Sequence, residues 1–135
     1  MAKCKEEIIR KNEVASDFND SETLFDDLKN CITIFGSARV SEDNEYAIEA
    51  ESLAYDLAKE GINIVTGGGG GIMSAANKGA FNAKTAQSIG LNIKIPKEQN
   101  LNPYTTRNFT FNYFFSRKFM LVKHSRACVV FPGGF

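Results

Sequence analysis

The chain has 135 residues, 43% hydrophobic and 24% charged, which suits one soluble globular domain or a piece of one. Its 16 basic and 16 acidic side chains cancel, but unevenly: residues 1–60 hold 7 Lys/Arg against 15 Asp/Glu, and residues 61–135 hold 9 against a single acid, Glu98. No apolar run approaches membrane-spanning length, and the charged N-terminus lacks a signal-peptide core. The three cysteines (Cys4, Cys31, Cys128) are odd in number and lack metal-site spacing, so free thiols in a reducing cytoplasm are expected and a metal site is not.

Residues 1–30 are polar and acidic and read as a helical N-terminal extension. Residues 5–14 and 23–28 are expected to form two short, solvated helices without a catalytic role. The core begins at Cys31-Ile32-Thr33-Ile34-Phe35, a buried-strand run that ends in the small-residue turn Gly36-Ser37-Ala38-Arg39. A helix is expected over residues 44–60. Ala47, Ala50, Ala54, Leu57 and Ala58 form its apolar face, Ser41 or Asp43 its cap, and Gly61 its C-terminal stop.

Ile62-Asn63-Ile64-Val65 reads as the next strand, and after Thr66 come five consecutive glycines, Gly67 to Gly71. Ile72, Ala76, Gly79, Ala80 and Ala83 then recur at helical spacing. A strand, a glycine turn and a helix N-terminus together present bare amides and a positive dipole end, so an anion cradle for a nucleotide phosphate is favoured over a merely flexible turn. The dinucleotide pattern is absent, because Ile72, Met73 and Ser74 stand where its last glycine would fall, and no Gly-Lys-Ser/Thr occurs anywhere. The basic second half fits a phosphate-bearing ligand. Its cations are scattered rather than interleaved with stacking aromatics, which disfavours nucleic acid.

Residues 87–95 read as a third strand stopped by Pro96, residues 97–108 as a loop, and Phe109, Phe111 and Tyr113 as the apolar side of a short strand in the core or a subunit contact. In the helix that follows, Phe115, Phe119 and Val122 share one face and Arg117, Leu121 and His124 another. His124, the one histidine, has no acid nearby in sequence and reads as a packing or surface residue. Ala127 to Phe131 form a fifth buried strand, and Pro132-Gly133-Gly134-Phe135 open a further turn. Strands alternating with helices in this order predict an α/β fold, a Rossmann-like doubly wound parallel sheet with helices on both faces, and a ligand site where the turns at 36–39, 67–71 and 132–135 converge. Arg39 either reaches a phosphate there or is an ordinary loop arginine. Asn77 and Lys78 either help to position the ligand or face solvent.

Across residues 31–135 the chain resembles the LOG (lonely guy) family, long carried under the label "possible lysine decarboxylase", and in particular its longer bacterial branch. The resemblance rests on Phe35-Gly36-Ser37-Ala38-Arg39, on the stretch from Thr66 through Ala80, and on Gly90-Leu91-Asn92-Ile93. It continues through Asn102-Pro103-Tyr104, Tyr113-Phe114-Phe115-x-Arg117-Lys118-x-Met120-Leu121 and the closing Phe131-Pro132-Gly133-Gly134-Phe135. It implies a Rossmann-like nucleotide-binding domain, incomplete at its C-terminal end and usually homodimeric, with no cofactor. It also implies hydrolysis of the N-glycosidic bond of a nucleoside 5′-monophosphate, of the AMP or cytokinin riboside monophosphate type, to free base and ribose 5-phosphate. Arg117 corresponds to the family's catalytic arginine. Gly36, Ser37, Arg39, Gly67, Gly68, Gly69, Gly70, Gly71, Met73, Arg117, Lys118, Pro132, Gly133 and Gly134 fall at nucleotide- or phosphate-binding positions. Gly70 stands where the family usually has Pro, and Ser74 where it usually has a Glu placed near the nucleotide. The family's catalytic glutamate would follow Phe135, and no acid follows Glu98. The 135 residues by themselves are therefore expected to bind a nucleotide without cleaving it.

Overall fold

The computed structural model of the chain describes residues 10–94 and 101–133. The expected start of an N-terminal helix at residue 5, the strand stop at Pro96 and Gly134 all lie outside the described residues. Within them the order is α1 (Lys11–Glu22), β1 (Cys31–Phe35), α2 (Glu45–Lys59), β2 (Asn63–Thr66), α3 (Ile72–Ala83), β3 (Ser88–Ile93), β4 (Arg107–Phe111), α4 (Phe114–Lys123) and β5 (Ala127–Val130). The five strands form one parallel sheet in the order β4-β3-β2-β1-β5. The chain winds outward from β1 to β4 and then crosses back to place β5 on the other side of β1. This reversal is the doubly wound arrangement that the strand–helix alternation predicts.

Each layer follows from its residues. β2 is buried at all four positions, as a central strand covered on both faces must be. On one face the small side chains Ala47, Ala50, Ala54 and Ala58 of α2 meet Ala76, Ala80 and Ala83 of α3 over Ile34 and Ile64. On the other, α4 buries Met120 and Leu121 against Val65, Ile89, Leu91 and Phe111. Phe111 lies wholly in this core with Phe109 edge-on at 4.8 Å, so the aromatic stripe on β4 is core. Phe115, Phe119 and Val122 face outward, and β5, expected to be buried, is instead an exposed strand: among the described residues it pairs with β1 alone, which leaves Ala127, Cys128 and Val130 exposed.

Further expectations need correction. The cap of α2 is Asn44, whose Oδ1 accepts from the Tyr46 N–H at 2.8 Å. Ser41 and Asp43 are occupied with each other at 2.5 Å and cannot serve. The expected stop at Gly61 holds: its N–H donates to the Ala58 carbonyl at 2.9 Å and that of Ile62 to Leu57 at 3.1 Å. Of the two short N-terminal helices expected, the first begins outside the described residues, which show a helix over Lys11–Glu22, and residues 23–27, expected within the second, form turns that bury Phe25. Nor is α1 simply solvated. Asp17 and Ser21 are wholly buried, and the helix lies along α4 with contacts that advance together, Tyr113 to Glu13, Phe119 to Phe18, and Lys123 to Glu22.

Two measurements check this architecture. A Cβ on Gly79 would stand 2.1 Å from the Glu51 carbonyl oxygen, so Gly79→Ala forces α2 and α3 apart. It should destabilise the fold by about 2–3 kcal/mol in urea unfolding, and a loss below about 0.5 kcal/mol would contradict the helix–helix contact. The Arg107 guanidinium grips the Asp27 carboxylate at 2.8 and 2.9 Å and holds its pKa down at about 2. A carboxyl with a lower pKa folded than unfolded favours the folded state when ionised. Its contribution is therefore complete above about pH 4 and disappears as the pH falls toward 2. The melting temperatures of the parent and Asp27→Asn should converge at pH 2 and differ most above pH 4; a constant difference would refute the pairing.

Candidate functional site

The turns that follow β1, β2 and β5 meet at the C-terminal edge of the sheet, interlocked through Ser37. Its carbonyl accepts from the Ile72 N–H at 2.9 Å, its own N–H donates to the Pro132 carbonyl at 3.2 Å, and its Oγ accepts from the Arg39 N–H at 3.1 Å. Gly71 closes the glycine turn at φ +62°, and a Cβ there would fall 2.2 Å from the Ser37 carbonyl oxygen, so both conformation and space require glycine.

A second set of bonds braces the glycine turn from beneath. Asn77 is wholly buried, accepting from Thr66 Oγ1 at 2.5 Å and from Asn102 Nδ2 at 3.0 Å, and donating to Ser88 Oγ at 2.9 Å. Asn102 also donates its Nδ2 to the Gly69 carbonyl and its N–H to that of Gly68, each at 3.0 Å. Thr66 Oγ1 accepts from the Gly68 N–H at 3.0 Å. Asn77 therefore does not face solvent; it fixes the turn. Lys78 lies over the Tyr104 ring at 5.8 Å.

Between the turns and α4 is a cavity of about 390 Å³, in the size range of small-molecule sites. Of the expected residues, Gly36, Ser37, Arg39, Gly67, Met73, Arg117, Lys118 and Gly133 line it, with Ile34, Phe35, Ala38 and Leu121. Gly68 and Gly69 do not line it; their carbonyls accept from Asn102. Gly70 and Gly71 border a separate cavity of about 100 Å³ with Ser74 and Lys78, so Ser74 does not face the main site. Pro132 contributes its carbonyl to Ser37 without lining the cavity.

Arg117 gives this cavity its character. Its Nε donates to the Leu91 carbonyl at 2.7 Å and its Nη2 to the Gly67 carbonyl at 3.0 Å, and a Cβ on Gly67 would collide with Nη2. Burial pushes the guanidinium pKa down, yet an arginine remains charged. Among the described residues no carboxylate pairs with it, and the lining contains Arg39 and Lys118 but no Asp or Glu. The site can hold an anion. The described residues offer no carboxylate to act as base or to steady a cationic sugar.

His124 packs as expected, with an acid far away in sequence as its partner. His124 meets Glu22 at 2.6 Å and stacks on Phe25 at 4.4 Å, so its role is packing at the end of α4. Its partner lies 102 positions away, and the same contact holds the Glu22 carboxyl below its ordinary range. Asp17, which sequence reading passed over, is buried against the first turn of α4. Nothing in its polar surroundings marked it, whereas Asn102 stood within a quoted motif whose structural use was not apparent.

The parallel doubly wound sheet with its interlocked turns defines a Rossmann-like α/β protein. The chain belongs to the SLOG cluster4 family, which matches residues 29–135. Solved structures share the fold. The protein TM1055 superposes with a TM-score of 0.66 at 23% identity over 77% of this chain and 61% of its own. A molybdenum cofactor carrier protein from Chlamydomonas reinhardtii gives 0.61 at 24% identity, over 79% and 63%. A molybdenum cofactor binding protein from Rippkaea orientalis gives 0.63 at 22% identity, over 79% and 64%. The chain thus spans about three fifths of the length of these neighbours. No curated protein matches it.

The two glycines at the end of the turn should respond differently to substitution. A Cβ at Gly70 makes only ordinary contact, 3.4 Å from the Ala38 carbonyl oxygen. Gly70→Ala should therefore be neutral or stabilise by about 0.4–1 kcal/mol, while Gly71→Ala should cost about 2–3 kcal/mol. Thermal unfolding that ranks the two the other way would contradict the turn geometry.

Proposed function

We propose that the cavity binds the phosphate of a nucleoside 5′-monophosphate and that the intact protein hydrolyses its N-glycosidic bond to free base and ribose 5-phosphate. The observation that carries this reading is the Arg117 guanidinium, held by two carbonyl oxygens beside a glycine turn without a carboxylate partner among the described residues. A desolvated cation without an anion is costly, and a phosphate relieves the cost. Of the five guanidinium N–H groups two are spent on Leu91 and Gly67, leaving three for a dianionic phosphate, with Lys118 and Arg39 adding charge. Membership of a LOG-like family supports the same ligand class. Cleavage requires in addition a carboxylate near the anomeric carbon, and the proposal puts that group outside the 135 residues.

A second reading is binding without turnover. It is favoured by the absence of Asp and Glu from the described lining and by fold neighbours that are described as molybdenum cofactor carrier and binding proteins.

Calorimetric titration with ribose 5-phosphate, paired with an assay for its release from AMP and other nucleoside monophosphates, separates the two. Binding that Arg117→Ala weakens by about 10- to 100-fold is expected, from the loss of charge-assisted hydrogen bonds of about 1.5–3 kcal/mol. Binding with release supports the glycosidase. Binding without release from the intact protein leaves the second reading. Failure to bind any phosphorylated ligand defeats both.

A further inference from the structure

We propose that Asp17 is a positioning residue for Arg117, so that α1 sets the aim of the guanidinium into the cavity; this rests on the phosphate-binding reading above. Asp17 is wholly buried, and its carboxylate is used entirely at the start of α4. Oδ1 accepts from the Asn112 N–H at 3.0 Å and from Asn112 Nδ2 at 2.9 Å. Oδ2 accepts from the Tyr113 N–H at 3.1 Å and from Ser116 Oγ at 2.5 Å. Tyr113 occupies the N-cap position of α4 and caps nothing with its own side chain. Asp17 thus holds the chain where it enters α4, accepting from the N–H groups of Asn112 and of the N-cap residue Tyr113 and from the Ser116 hydroxyl in the first turn, and places a negative charge where the α4 dipole favours one.

The residue after Ser116 is Arg117. Its N–H donates to the Tyr113 carbonyl at 3.2 Å, so the backbone from which its side chain springs belongs to the turn that Asp17 holds. The far end of the side chain is fixed separately by the Leu91 and Gly67 carbonyls. An arginine fastened at both ends presents its remaining donors in one direction, which lowers the ordering cost when an anion binds. Glu13, which accepts from Tyr113 Oη at 2.8 Å, and Phe18, edge-on to Phe119 at 5.6 Å, keep α1 in register for this contact.

Asp17→Asn keeps the shape and replaces one acceptor oxygen by a donor, setting it against an N–H or hydroxyl of the α4 turn. The readouts are ribose 5-phosphate affinity and the Nε–H resonance of Arg117 by nitrogen-15 NMR, identified by its loss in Arg117→Lys. Leu57→Ala, at the opposite end of the sheet, serves as a control for general destabilisation. The expected result for Asp17→Asn is about a tenfold weaker affinity with a shifted or broadened Arg117 Nε–H, while Leu57→Ala changes neither at similar cost in melting temperature. Ser116→Ala, which removes one donor to Asp17, should act in the same direction with a smaller effect and decides the matter if Asp17→Asn does not fold. Retention of the parent resonance and affinity in Asp17→Asn, or equal effects from Leu57→Ala, would overturn the proposal. If the parent chain binds no ribose 5-phosphate, the ligand reading fails while the Nε–H resonance still decides whether Asp17 positions Arg117.

Discussion

A half-buried guanidinium with no carboxylate partner among the described residues is the constraint around which this edge of the sheet is arranged. Carbonyl dipoles from Leu91 and Gly67 compensate Arg117 only in part, and they do so only because the backbone at residue 67 carries no side chain. The helix bearing the arginine must start at one height relative to β2 and β3 for both bonds to form. That height is set by packing of Met120 and Leu121 below and by Asp17 above. Glycine at 67, an acid on α1 and two strand ends thus answer to one charge.

The glycine turn has the opposite problem, since five residues without side chains have no packing to hold them. The structure supplies rigidity from buried amides. Asn77 and Asn102 tie the turn to α3, to β3 and to the loop before β4, and every bond runs to a defined partner. Among the described residues no buried side-chain nitrogen or oxygen lacks one. A fully satisfied polar network in a low-dielectric interior specifies a single geometry more sharply than apolar contacts do. The backbone of the turn is therefore held in one conformation by the protein itself.

Much of this was legible in the sequence. The β-branched runs at 31–35 and 62–65, the alanine spacing of α2 and the glycine after it fixed strands, helix and stop, and the order of elements fixed a parallel doubly wound sheet. The convergence of Gly36, Gly67 and Gly133 followed from that topology. What could not be read was whatever depends on tertiary partners. Asn44 took the cap because Ser41 and Asp43 consumed one another. Asp17 and Ser21 carry no apolar signal, so α1 looked solvated although both are buried. Asn77 lay on a helix face that periodicity describes equally well as exposed. Its burial depends on acceptors and donors 11 and 25 positions away.

The placement of β5 bears on the order in which the protein assembles. Among the described residues β5 pairs with β1, Ile32 beside Ala127 and Phe35 beside Val130, so the cavity takes its walls from segments far apart in sequence. Such a pairing closes a long loop and forms late relative to neighbours such as β1 and β2. A nascent or partly folded chain that has built α2, β2 and α3 already possesses the glycine turn but lacks the wall that Gly133 provides. A ligand bound in the cavity would thereby favour closure of the β1–β5 pair over every intermediate that lacks it.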